Sequence, residues 1–265
     1  MRSFSIQIFL LFFVLLTTFS CKEDDDEEII INDPKAENRK GLGTSSEDIL
    51  SSDIYKSLTV ELVYSEVYKP TQESLDNFKA FILERVNKPS GINFVERQIA
   101  VQPNDPFDID EIREIEDRVR TRYTEGNDIA IYVFFSNGSS TNDTPTRVTL
   151  GTAYRNTSVV IYERTLQVIT EGDPVLLSLI ESTTLHHEFG HILGLTNILD
   201  DDIHNQHEDI NNANHCFVED CLMYFEATNV TRSSITTMMN NLRSRMEVPV
   251  FDPLCIGDLQ AKGGK

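Results

Sequence analysis

Two hydrophobic periods alternate through the middle of this 265-residue chain. Leu58, Val60, Leu62 and Tyr64 recur at every second position, which predicts a strand with one buried face. Leu75, Phe78, Ile82 and Val86 then recur three or four apart, which predicts a helix ending before Lys88-Pro89. A second strand is expected at Phe94 to Val101, and a charged helix at Asp108 to Tyr123 with Ile112, Ile115 and Val119 on one face. Ile129 to Phe135 is a continuous apolar run of strand length, suited to a buried central strand. Val148 to Tyr154 and Val159-Val160-Ile161 predict two more strands about a turn at Arg155-Asn156. Asp173-Pro174 opens a long helix, with Asp as N-cap and Pro at the first helical position, that runs through Leu177, Ile180 and Leu185 to a glycine C-cap at Gly194. Ile235, Met238, Met239, Leu242 and Met246 form a last helical stripe, read as core packing. This alternation implies one helix-backed sheet domain over residues 49–265, α+β or α/β in class.

The N-terminal region has a different pattern. Arg2 followed by the apolar run Ile6 to Leu16 reads as a secretory signal over residues 1–20, too short for a comfortable membrane span. Thr18-Phe19-Ser20-Cys21 resembles a loose bacterial lipobox, which implies a lipid anchor at Cys21. The following Lys22-Glu23-Asp24-Asp25-Asp26-Glu27-Glu28 resembles the export tag of surface lipoproteins. The expectation is a chain lipid-anchored to a bacterial outer membrane and exposed at the cell surface; a plain signal peptide with a solvated acidic linker is the alternative. Residues 21–48 are polar, poor in aromatics and broken by Pro34, Gly41 and Gly43, which predicts a flexible tether.

The chemistry is concentrated on the long helix, in His187-Glu188-Phe189-Gly190-His191. Residues four apart share a helix face, so both imidazoles of H-E-x-x-H can reach one Zn²⁺, with Glu188 beside them. Such a zinc acidifies water and polarises a scissile carbonyl, and the carboxylate shuttles the proton. A catalytic zinc needs a third protein ligand.

The motif and Gly194 resemble the metzincin pattern H-E-x-x-H-x-x-G-x-x-H, but Asn197 stands where its third His belongs. Further on, His215-Cys216-Phe217-Val218-Glu219-Asp220-Cys221-Leu222-Met223 resembles the archaemetzincin arrangement, H-C-x4-C-x-M. The same run is similar to bacterial surface lipoproteins of a metzincin-like metalloprotease group. The resemblance implies an α+β metzincin-like zincin domain: a twisted mixed sheet with backing helices, an active-site helix, a Met-turn and a C-terminal helix. It further implies zinc on His187, His191 and His215, Glu188 as general base and Met223 as the apolar floor. His204 and His207 are rival third ligands, and a gluzincin-type site would recruit Glu208 or Glu219 instead. His186 is read as structural. Archaemetzincins hold a second, all-Cys zinc, whose downstream C-x2-C is absent here; Cys216 and Cys221 are expected to form a disulfide, leaving Cys255 free. Asp200-Asp201-Asp202 with Glu208 and Asp209 are a candidate Ca²⁺ loop, or simply a solvated one.

The function so implied is a monomeric zinc-dependent endopeptidase acting on peptides or proteins; the alternative is a non-catalytic, zinc-containing surface lipoprotein that binds a ligand or partner. Charge refines this. The chain carries 43 Asp+Glu against 23 Lys+Arg, which argues against a partner of nucleic acid. Residues 165–231 hold twelve of those acids and no Lys or Arg. Their field predicts cationic or neutral peptide substrates.

Overall fold

β1 (Ser57–Ser65) and β3 (Asp128–Phe135) form the parallel centre of the sheet, in a computed structural model that describes residues 33–224 and 229–265. Leu58 lies opposite Ile129, Val60 opposite Ile131 and Leu62 opposite Val133, so the apolar alternation of one strand meets that of the other. β2 (Ile92–Ile99) adds in parallel outside β1, and β6 (Ser158–Ile161) in parallel beside β3. β5 (Gly151–Arg155) closes the far edge antiparallel to β6, giving the order β2-β1-β3-β6-β5. The class is therefore α+β with a mixed five-stranded sheet.

The strand predicted over Val148 to Tyr154 is divided. β4 (Arg147–Thr149) leaves the main sheet to pair antiparallel with β7 (Asn229–Thr231), and the break falls at buried Leu150. The readings placed on residues 1–32 lie outside the described residues. No helix among the described residues is long and apolar enough to cross a membrane.

Both faces of the sheet are covered. On one, α2 (Gln72–Arg85) and α5 (Pro174–Ile192) bury Leu75, Phe78, Ile82, Ile180 and Phe189 against Leu58, Val60 and Leu62 of β1 and Ile129, Ile131 and Val133 of β3. On the other, α3 (Ile109–Val119) covers Val63, Tyr132, Phe134 and Val160. Each helix starts where its cap predicts: Thr71 accepts from the Ser74 amide, Asp108 forms a capping box with Glu111, and Asp173 accepts from the Val175 and Leu176 amides. The half-polar face expected of β1 is buried too. Glu61 is fully enclosed, and Arg97, Thr121 and the Arg122 amide supply the donors a buried carboxylate requires.

Residues 33–48 differ from the tether expected of them. A single 3-10 turn (Ala36–Asn38) and α1 (Ser46–Leu50) pack onto the domain. Asn38 is buried; its amide donates to the Ala130 carbonyl at 2.9 Å and to Thr157 Oγ1 at 3.0 Å, and its oxygen accepts from the Thr124 amide at 2.8 Å. Low apolar content misleads here because the segment is held by side-chain hydrogen bonds to backbone groups the sheet leaves unpaired. The compact unit accordingly begins at Asp33, not residue 49. Two further helices carried no clear sequence signal: α4 (Glu163–Ile169) and α7 (Pro253–Ala261). The predicted stripe at Ile235 to Met246 is α6 (Arg232–Arg245), which buries Met239 and Leu242.

Candidate metal centre

α5 passes unusually close to the sheet edge, and two glycines permit it. A Cβ on Gly151 would stand 2.8 Å from Glu188 Cγ and from Thr184 Cγ2, and one on Gly190 would collide with Met223 Sδ. The helix therefore lies between β5 above and the 221–224 turn beneath, with Met223 fully buried under it.

His187 and His191 sit one turn apart on α5. His187 Nδ1 donates to the Leu222 carbonyl at 2.7 Å, and His191 Nδ1 donates to the Leu195 carbonyl at 3.0 Å. His215 reaches the same point from the loop after α5, its Nδ1 donating to the Ala213 carbonyl at 2.8 Å. Carbonyls can only accept, so all three rings carry their proton on Nδ1 and present a bare Nε2 lone pair. The three rings meet with centroids 4.7, 5.2 and 5.1 Å apart. Each offers one ligand atom, and these lie within 4.8 Å of one another. The Nε2 atoms of His187 and His191 are 3.1 Å apart, two lone pairs that repel unless a cation sits between them. The edge of a tetrahedral zinc site with nitrogen ligands is about 3.3 Å, so the donor set fits that ion. Burial, then the neighbouring imidazoles, hold His187 well below the ordinary imidazole range; the same causes lower His191 to about 3, and burial lowers His215. Neutral imidazoles are the form a metal binds.

Glu188 faces the cleft next to this trio. The Ala153 amide of β5 donates to Glu188 Oε2 at 2.6 Å, tying the carboxylate to the sheet edge. The cleft has a volume of about 380 Å³ and is walled by Thr149, Gly151, Thr152 and Ala153 on the strand side, with His191, Asn214 and His215 opposite. Leu42 and Arg147 complete its rim. Neither had a sequence signal: Leu42 lies in the supposed tether, and Arg147 faces the cleft only because β4 turns away at Leu150.

A scan of protein-family models and a search of curated proteins found no match to the chain. Solved structures do match. Archaemetzincin from Methanopyrus kandleri superposes with a TM-score of 0.50 at 16% identity, covering 78% of this chain and 96% of that one. The fold is archaemetzincin-like. Metalloproteinase-II from Bacteroides fragilis matches at a TM-score of 0.37 and 13% identity, over 73% of this chain and 52% of that one.

On this archaemetzincin-like frame the remaining candidates part company with the trio. Asn197 has φ +59°, a backbone region Asn tolerates, and its side-chain oxygen accepts from the Asp202 amide at 3.1 Å. It closes a turn instead of facing the histidines. His186 stacks on Phe81 with centroids 4.1 Å apart, as a structural ring would. His204 bonds Asp258, with its amide and Nδ1 each 2.9 Å from Oδ1. His207 is fully buried, with Nε2 3.0 Å from Asp258 Oδ2 and Nδ1 3.4 Å from Cys216 Sγ. Neither rival histidine, nor Glu208 or Glu219, belongs to the group formed by His187, His191 and His215.

The expected Cys216–Cys221 disulfide is not formed. Cys216, Cys221 and Cys255 are all buried free thiols. Cys221 Sγ stands 3.7 Å from Cys255 Sγ, against about 2.05 Å for a disulfide. The acidic loop also differs from a calcium site. Lys262 Nζ lies 2.8 Å from Asp201 Oδ1 and 2.5 Å from Asp202 Oδ1, so an ammonium already neutralises those carboxylates. Asp173 pairs with Arg243, and Asp220 with Arg245. Cations absent from residues 165–231 thus arrive from α6 and from the residue after α7, and four of the twelve acids are paired in this way. At the cleft itself the charged side chains are Glu188 and Arg147.

Proposed function

We propose that this chain is a zinc-dependent endopeptidase, with His187, His191 and His215 as the metal ligands and Glu188 as the general base. The observation that supports it is the convergence of three bare Nε2 atoms beside a carboxylate in an open cleft bordered by a free sheet edge. Zinc held by these three rings would supply a Lewis acid for the scissile carbonyl and lower the pKa of water toward about 7. Glu188 takes the water's proton and returns it to the departing amide nitrogen. The Ala153 amide orients the carboxylate for both transfers, and the outer edge of β5 offers backbone groups to an extended peptide. Met223, packed under Gly190, is the apolar floor that fixes the helix beneath the ligands.

The alternative, a zinc-containing surface lipoprotein without catalysis, has no use for Glu188 or for the cleft. A structural zinc site is closed by four protein ligands, whereas three converge here. Arg147 on the cleft wall supports substrates that carry a carboxylate near the scissile bond, the reverse of the preference drawn from net charge. The lipid anchor at Cys21 would hold the enzyme at a bacterial outer surface.

The test is zinc content and cleavage of a mixed peptide library by the wild type and by Glu188→Gln. Bound zinc with cleavage in the first, and bound zinc without cleavage in the second, is the expected result. A zinc-loaded wild type that cleaves nothing would sink the proposal.

A further inference from the structure

The polar segment before β1 reaches the cleft, although nothing in its composition requires it to. Leu42 is half-buried, packs against the main core and lines the cleft with Thr152, Ala153 and His191. It is held from two sides. Asn156, fully buried in the turn between β5 and β6, donates its backbone amide to the Lys40 carbonyl at 3.1 Å. Its side-chain amide donates to the Glu37 carbonyl at 2.8 Å and to Ser45 Oγ at 2.7 Å. On the other side Gly43, at φ +79°, passes close to the loop after α5. A Cβ there would lie 3.2 Å from Ile198 Cγ2 and 3.3 Å from Leu199 Cγ. Leu42 is clamped between the far end of β5 and the chain that leaves the helix.

The opposite end of the cleft is cationic. Arg147 precedes β5 and lines the cleft beside Asn142 and Thr149. Between the two ends stands Glu188, bonded to the Ala153 amide at 2.6 Å and close against Gly151. An extended peptide along β5 therefore meets a leucine on one side of the carboxylate and a guanidinium on the other. Antiparallel pairing is the more stable of the two ladders, and it sets the direction. The peptide then runs from the Asn156 end toward Gly151, so its residues before the bond at Glu188 approach Leu42. Its residues after that bond approach Arg147. Ala153 and Asn156 are three residues apart, about 10 Å at strand spacing, which puts Leu42 opposite a position two or three residues before the bond.

We propose that Leu42 is a specificity-determining residue of the cleft. It selects an apolar side chain two or three residues N-terminal to the scissile bond, in substrates whose acidic residue follows that bond. The segment that carries Leu42 is then a wall of the site and not only a lead-in to the domain. This inference rests on the peptidase reading and adds a substrate class to it. An apolar side chain seated on Leu42 leaves water, and discrimination of about tenfold or more per matched methylene follows.

The test has a binding arm and a cleavage arm, both on the zinc-loaded full chain. Three peptides carry Asp after the intended bond and Leu, Gly or Asp at the position before it; a fourth reverses the order, with Asp before and Leu after. In Glu188→Gln, fluorescence anisotropy should show the Leu peptide bound about tenfold more tightly than the Gly peptide. Adding Leu42→Ala should abolish that advantage. Adding Leu42→Lys should transfer it to the peptide with Asp at that position, a gain that misfolding cannot produce. Cleavage by the wild type, mapped by mass spectrometry, should rank the peptides in the same order. Equal binding of the Leu and Gly peptides, a Leu advantage that survives Leu42→Ala, or tighter binding of the reversed peptide would each overturn the proposal, whatever the wild type cleaves. The expected binding pattern without cleavage would uphold Leu42 as the residue that reads the peptide and overturn only the hydrolytic reading.

Discussion

The two donor clusters of this chain join at a single peptide bond, between His215 and Cys216, and differ in almost every other respect. The histidine trio is made of three like ligands, each oriented by a backbone carbonyl, and it opens on a cleft. The second cluster, His207 with Cys216 and Cys255, mixes sulfur with one imidazole, is oriented by a buried carboxylate and is sealed on all sides. A site with three ligands and an open side can exchange a substrate, whereas buried side chains packed on one another can only brace the chain. Residue type alone does not distinguish the roles, since histidines occur in both.

The comparison can be broken first at Glu188. Glu188→Gln should lower peptide hydrolysis by about 10²–10⁴-fold while zinc content is unchanged; a retained rate would mean the open cluster does not work as drawn. His207→Ala is next. Removing one of the two histidine partners of buried Asp258 should cost about 1–3 kcal/mol of unfolding free energy by denaturant titration, and the cleft should lose zinc affinity as the His215 loop loosens. If only the closed cluster responded, the two would be energetically independent.

Gly151→Ala probes the scaffold of the open cluster. Its new methyl group meets Glu188 and Thr184 at 2.8 Å, so a loss of about 1–3 kcal/mol is expected, together with reduced turnover.

Glu163 tests the same helix from behind. Burial and then the Glu181 carboxylate push Glu163 well above the ordinary carboxylate range, while Thr71 donates to Glu181 through its amide at 3.0 Å. A raised folded pKa means the native state holds the proton more tightly than the unfolded chain. The resulting stability is present below the unfolded pKa of about 4.5 and is lost as pH rises toward the folded value. Glu163→Gln should flatten that loss, gaining about 1–2 kcal/mol at alkaline pH in unfolding titrations. An unchanged pH profile would place the proton elsewhere.

The smallest effect concerns specificity. Arg147→Glu should reduce kcat/KM about tenfold for peptides with an acidic residue near the cleaved bond, at low salt, and spare neutral ones. Equal losses on both would mean Arg147 only braces β4.

How legible the molecule was depended on how local each signal is. β1 follows from a period-2 pattern, β3 from a continuous apolar run and α5 from its Asp-Pro start and helical spacing, and His187 and His191 share a face by helix geometry alone. β4 and β5 merged into one expected strand because hydrophobicity at Leu150 is the same whether the chain continues or changes partner. The packing of residues 33–48 rests on Asn38 and backbone groups of β3, which no pattern in a polar segment announces.

The sequence by itself determined the central strands, the long helices α2, α3 and α5, and the two histidines spaced by one helical turn, because those depend on neighbours within a few residues. Only the tertiary structure decided what the other ligand-type residues do. His204, His207 and His215 lie within twelve positions in one loop, and no rule of spacing ranks them. The fold ranks them through partners far away in the chain: Asp258 takes His204 and His207, while α5 and the Leu222 turn receive His215. Net charge followed the same course. Twelve acids without a cation looked like a field at the cleft, but four of them meet Arg243, Arg245 and Lys262 in space and only Glu188 lines the cleft. Coulomb interactions and metal ligation depend on distance through space, and the linear chain specifies that only where structure is local.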